Sequence, residues 1–206
     1  MTSARDALRQ LREGNARFIS NGHGADPAQR GGLTKSQEPR AIILGCSDAR
    51  VPAEIIFDQG LGDLFVIRVA GNIVAPSLVG SVEFAAERFG TRLVVVLGHS
   101  ECGAILATID ELRRPSATGS RNLGAIVDRI RPSVAGLVEA GLSGDALVRQ
   151  AVRANIRASA DHLRHGSEVL EQLIRDDGLL VVGAEYSLDT GAVEFFDGVP
   201  ADSVAP

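Results

Sequence analysis

Apolar residues recur along this chain with two different periods. Ala4, Leu8, Leu11 and Phe18 fall at helical spacing and predict an amphipathic helix over residues 3 to 20. Asn21 to Pro39 is rich in Gly, Pro and polar residues and reads as a long loop or arm. Nothing before Ala41 supplies a sheet partner, so the piece spanning residues 1–40 is expected to pack on another surface, a second subunit being the candidate. Continuous apolar, β-branched runs follow at 41–45, 64–69, 93–97 and 179–184, the pattern of buried strands. Leu78, Val82, Ala85 and Phe89 mark a helix between them. Val148, Val152, Ile156 and Leu163 mark a longer one that Ser143 would cap. Such alternation implies a mostly parallel sheet covered by helices on both faces. The runs 179–184 and 192–196, joined through Leu188 to Gly191, read as a hairpin that adds an antiparallel edge. With no repeat and no linker, residues 1–206 are expected to form one α/β domain.

The chemistry sits just past two of these strands. Cys46-Ser-Asp-Ala-Arg50 follows the first, and His99-Ser-Glu-Cys102 follows the third after Gly98. Parallel strands end on one edge of a sheet, where ligands bind, so the two segments can converge. A lone buried cysteine is usually a small hydrophobe, and a lone histidine at a strand end is usually structural. Here both cysteines of the chain lie at strand ends, one of them with a histidine three positions before it. Two thiolates and one imidazole make three ligands for Zn²⁺, and a catalytic zinc site keeps its fourth position for water. Gly103 begins a predicted helix, Ala104 to Asp110, whose N-terminus favours thiolate and anions at that point. Asp48 and Arg50 decide whether the site is open. An exposed ion pair contributes little by itself. Beside a metal, the carboxylate either pairs with Arg50 and leaves the fourth position free, or swings to the metal and closes it. His23, His162 and His165 lack any such pattern and read as structural.

At 206 residues, 45% hydrophobic and 23% charged, the chain can bury a substantial core as one domain. A net charge of −5 without a dense basic block argues against nucleic acid as a partner. No apolar stretch approaches the ~18 residues of a membrane span, and no secretory apolar region is evident, which leads us to expect a cytoplasmic protein with no membrane partner. In that setting two cysteines favour a metal over a disulfide, and neither lies in the C-x-x-C pair of a redox motif.

The two segments together, Cys46-Ser-Asp-Ala-Arg50 and Gly98-His-Ser-Glu-Cys-Gly103, closely resemble the paired signatures of β-class carbonic anhydrases. Glu13-Gly-Asn-x-Arg-Phe18, Gly62-Asp-Leu-Phe-Val-Ile-Arg68-Val-Ala-Gly-Asn72 and the Val182 to Gly191 hairpin extend the likeness over nearly the whole chain. The resemblance implies a homo-oligomer, a dimer or dimer of dimers. It also implies reversible hydration of CO₂ to bicarbonate by zinc-bound hydroxide. Cys46, His99 and Cys102 match the zinc ligands, and Asp48 with Arg50 matches the catalytic dyad. Gln37 falls where the family has a substrate-contacting glutamine reaching across the dimer. Phe65 and Phe84 fall at positions that line the apolar CO₂ pocket from the neighbouring subunit, with Ala70 where the family commonly has a bulkier residue. Arg68 and Tyr186 match two of three residues of a bicarbonate site found in one branch, with Ile43 in place of its tryptophan. Two other readings stay open: a carbonyl sulfide or carbon disulfide hydrolase on the same zinc site, and a non-catalytic zinc-stabilised module with Asp48 held on the metal.

Overall fold

In the computed structural model, which describes residues 2–22, 37–114 and 120–201, five strands make one sheet. They are β1 (Ala41–Gly45), β2 (Leu64–Arg68), β3 (Leu93–His99), β4 (Leu180–Tyr186) and β5 (Val193–Asp197), in the spatial order β2-β1-β3-β4-β5. The first three pairings are parallel and β4–β5 is antiparallel. All seven residues of β3 are buried, as a central strand covered on both faces requires, and this explains its unbroken apolar run. Side chains alternate between the faces: Ile42 and Leu44 enter one layer, Ala41 and Ile43 the other.

The larger layer holds α3 (Pro76–Arg88), α4 (Gly103–Arg113), α5 (Arg121–Glu139), α6 (Gly144–His165) and α7 (Glu168–Asp176). Val82, Ile105, Ile130, Val152, Ile156 and Leu163 supply much of its core. The periodicity of α3 and α6 is legible in sequence, whereas that of α5 and α7 is not. Pro132 and two glycines interrupt the α5 pattern, yet the helix runs through them because Ile130 and Val134 are held in the core. Ser143 does precede α6, but its side chain makes no capping hydrogen bond.

The opposite face carries α1 (Ala4–Ile19) and the short α2 (Ala53–Ile56). Ser3 starts α1 by accepting from the Asp6 amide at 3.1 Å. The expected placement of this helix on a partner surface needs correction. Leu8 and Leu11 are fully buried in the same core as Ile43, Val95, Leu97 and Val182 of the chain's own sheet. The stripe is apolar because an intrachain sheet face needs cover. Buried Asn15 locks the position, donating to the carbonyls of Ile56 and Gly191 at 3.2 and 2.9 Å and accepting from the Val193 amide at 2.8 Å. Gly14 permits the contact, since a Cβ there would overlap the Phe57 carbonyl oxygen. Most of the predicted arm, His23 included, lies outside the described residues. Among the described residues, no helix is long and apolar enough to cross a membrane.

Candidate metal centre

The chain passes from β1 to its neighbour β2 on one side, and later to β3 on the other, so strand order reverses between β1 and β3. A crevice opens beyond the carboxyl ends of strands at such a point. Cys46 is the first residue past β1, His99 the last of β3, and Cys102 the N-cap of α4. Their donor atoms all lie within 4.8 Å of one another, and the two sulfurs are 4.0 Å apart. All three side chains are buried.

The chemistry of this group fits a cation. His99 Nδ1 is 2.8 Å from the Ser100 carbonyl oxygen, to which it can donate, and this leaves Nε2 with its lone pair directed at the sulfurs' neighbourhood. Nε2 is one of two buried side-chain nitrogens or oxygens without a hydrogen-bond partner among the described residues, the other being Asn72 Nδ2. Buried polar atoms are rarely left so, and a metal accounts for the histidine. Cys46 is pushed toward thiolate, chiefly by the hydrogen bond from Cys102, with burial opposing and His99 and the Gly71 and Asp48 amides assisting. Cys102 is pushed the other way by Cys46 and by burial, although the Ile105 and Ala104 amides at the start of α4 favour its anion. A second buried negative charge beside the first is uncompensated without a cation, so the donor set suits a divalent, thiolate-binding metal such as zinc. His99 is raised overall: burial lowers it, but Cys46, the Ser100 carbonyl and Asp48 together outweigh that.

Asp48 stands beside the trio without joining it. Its Oδ1 accepts from the Arg50 amide and Nε, both at 2.9 Å, and its Oδ2 from Nη2 at 2.7 Å. The Arg50 hydrogen bonds hold its carboxyl far below the usual carboxylate range, against the effect of partial burial. Oδ2 is 3.8 Å from His99 Nε2, so the carboxylate borders the donors while both its oxygens stay with the guanidinium.

Two residues that the sequence reading did not assign to this site support it. Arg68 donates to the Cys46 and Asp48 carbonyls at 3.1 and 2.6 Å and so fixes the backbone between donor and carboxylate. Gly71 donates its amide to Cys46 Sγ at 3.4 Å. The Val-Ala-Gly-Asn run is visible as a motif, but spacing alone gives no sign that its glycine faces a sulfur 25 residues earlier in the chain.

The other candidates divide. Ala70 opens the 3₁₀ turn Ala70–Asn72, next in sequence to the Gly71 whose amide meets Cys46. Phe65 and Phe84 instead cluster with Phe89 where β2 meets α3, with ring centroids 6.2, 6.0 and 5.6 Å apart. Gln37 is exposed at the amino end of β1, opposite the end that carries Cys46. A five-residue strand of about 17 Å separates them, so Gln37 does not join its own chain's donors. His162 and His165 lie on α6 away from the trio, the latter 3.5 Å from Asp161.

A family model described as carbonic anhydrase matches residues 41–193. Carbonic anhydrase 2 of Mycobacterium tuberculosis is 37% identical over 197 residues, covering 94% of this chain and 93% of the relative. The carbonic anhydrase of Mycolicibacterium smegmatis is 38% identical over 192 residues, 91% of each chain. Among solved structures, the β-carbonic anhydrase CafA of Aspergillus fumigatus superposes with a TM-score of 0.74 at 26% identity, covering 96% of this chain and 92% of that one.

Proposed function

This chain belongs to the β-carbonic anhydrase family, and from that premise we propose that it catalyses the reversible hydration of CO₂ to bicarbonate and a proton at a zinc site. Cys46, His99 and Cys102 would hold the metal. When bound, zinc supplies a Lewis acid that brings the pKa of water from about 15.7 toward about 7. Everything else falls to the chain's own side chains.

Asp48 keeps its charge because Arg50 grips both oxygens, so a carboxylate is available beside the donors across the working pH range. An anionic acceptor there takes a hydrogen bond from the attacking oxygen and leaves its reactive lone pair facing the substrate. Arg50 also restrains the carboxylate from swinging onto the metal, and Arg68 keeps the backbone from following it. CO₂ is small and uncharged, so it needs an apolar wall and one donor. Ala70 adjoins the donors within the chain, whereas Gln37, Phe65 and Phe84 would serve a neighbouring subunit's pocket from their place away from the trio. That division supports a homo-oligomer with shared sites.

The observation that carries this reading is the Asp48–Arg50 clasp beside a three-donor group. A purely structural metal site needs a fourth protein donor, and the nearest carboxylate is engaged elsewhere. Zinc analysis combined with stopped-flow CO₂ hydration tests it, with carbonyl sulfide and carbon disulfide assayed alongside. We expect about one zinc per chain. Asp48→Asn should retain that zinc and lose about 100-fold or more in CO₂ hydration. Parental turnover by Asp48→Asn would remove the carboxylate from the mechanism.

A further inference from the structure

The turn that aims an amide at Cys46 is not one the backbone adopts unaided. Gly71 has φ +72° and the next residue, Asn72, has φ +43°, two left-handed positions in succession with only the first occupied by glycine. A side chain at Gly71 is excluded on packing grounds as well: its Cβ would sit 2.8 Å from Ile130 Cδ1 and 3.0 Å from Ala104 Cβ. Asn155, reaching in from α6 and only 2% exposed, holds the turn. Its Nδ2 donates to the Gly71 carbonyl at 2.8 Å. The backbone N–H of Gly71 in turn donates to Cys46 Sγ at 3.4 Å.

We propose that Asn155 is a positioning residue for the metal centre, acting through Gly71 to set how strongly the Cys46 sulfur donates to the metal. The proposal rests on the reading of Cys46 as a metal ligand. An N–H on a thiolate withdraws charge from the sulfur lone pairs and orients those that remain, as partners around a ligand commonly do. With Asn155 gripping the carbonyl on one side of the Gly71 Cα, the N–H on the other side cannot turn from the sulfur. Without that grip, the strained turn can relax and the sulfur loses its hydrogen bond. Asn155 itself is no metal donor, and its effect is indirect.

Cobalt(II) in place of zinc makes the sulfur's donation visible as thiolate-to-metal charge-transfer absorption. Asn155→Asp keeps the shape and replaces the N–H donor with an acceptor. Asn155→Ala removes the donor without adding charge and keeps the test readable if the Asp variant does not fold. Ser159→Ala, one turn further along α6 and similarly buried, is the control for general loosening of the helix. We expect both Asn155 variants to move the charge-transfer band to longer wavelength and to weaken metal affinity, by chelator competition, on the order of tenfold. Ser159→Ala should do neither. Asn155 variants that lose thermal stability but keep the parental band and affinity would overturn the proposal and leave a structural asparagine. A parent chain that takes up neither cobalt nor zinc would overturn it at its premise, together with the ligand assignment, and so is a separate failure.

Discussion

Arg50 shows how much a single side chain decides at this centre. Its planar fork meets both Asp48 oxygens, through Nε and Nη2. A lysine retains the charge but offers one point of contact where the fork offers two. Arg50→Lys is therefore expected to keep the bound metal and lower CO₂ hydration, because Asp48 gains freedom to swing toward the donors. An unchanged rate with unchanged metal content would mean that charge alone is enough. Glu101, between His99 and Cys102, is held at φ +54°, a region costing most side chains about 1–2 kcal/mol. Glycine at this exposed position relieves that cost at an entropic loss of about 0.5–1 kcal/mol. Glu101→Gly should thus melt at the parental temperature or slightly above it, and a clear drop in thermal midpoint would mean that the glutamate side chain itself stabilises the loop.

Between elements, Arg153 ties α6 to the β4–β5 edge. Its guanidinium lies 3.9 Å from the Phe196 ring centroid, bonds both Glu194 oxygens at 2.8 Å, and lies 3.5 Å from Glu185. Glu194 is mostly exposed, so that pair contributes little. Glu185 differs. Burial raises its pKa above the ordinary 4.5, and Arg153 partly offsets the rise. Removing Arg153 therefore raises it further. A carboxyl whose folded pKa exceeds its unfolded one contributes no penalty below the unfolded value and the full penalty above the folded value, so stability falls as pH rises through that window. Arg153→Ala should cost about 2 kcal/mol near pH 8 and visibly less near pH 4. Denaturant melts at the two pH values provide the comparison, and a loss independent of pH would assign the effect to the Phe196 contact alone.

At the scale of the whole molecule, the β2 side of the sheet is unfinished. β2 is an edge strand, and edges left open invite pairing. Beside it Phe84 is 53% exposed although it packs with Phe65 and Phe89. Ile55 and Leu61 are 58% and 51% exposed. In the homo-oligomer proposed above, these residues and Gln37 would face a second copy across an isologous interface. Phe84→Arg is expected to lower the oligomer mass by light scattering and CO₂ hydration with it, while metal content stays near one per chain. A monomeric variant at full specific activity would show that each chain builds its own site. The α1 helix is not part of that argument, since Leu8 and Leu11 already cover their own sheet.

The identity and meeting of the three donors were determined by the sequence alone. Both donor segments directly follow strand-like runs, and parallel strands necessarily end on one edge, so local pattern and topology together place Cys46, His99 and Cys102 within reach. β1, β3 and β4 were legible because a buried strand advertises itself through its own residues, whereas β5, with no buried residue, was legible as the second arm of a hairpin. What the tertiary structure decided are matters of partnership. An apolar stripe on α1 states that the helix is covered but not by which surface, and the answer was its own chain's sheet. α5 holds its helix through Pro132 because core contacts outweigh the local break. Asp48 could equally have met a metal or a guanidinium, and only the folded loop shows it clasped by Arg50. The link from Asn155 through Gly71 to Cys46 joins three separate parts of the chain. Hydrogen bonds of that kind leave no periodicity behind, because their partners become neighbours only when the sheet and helices have packed.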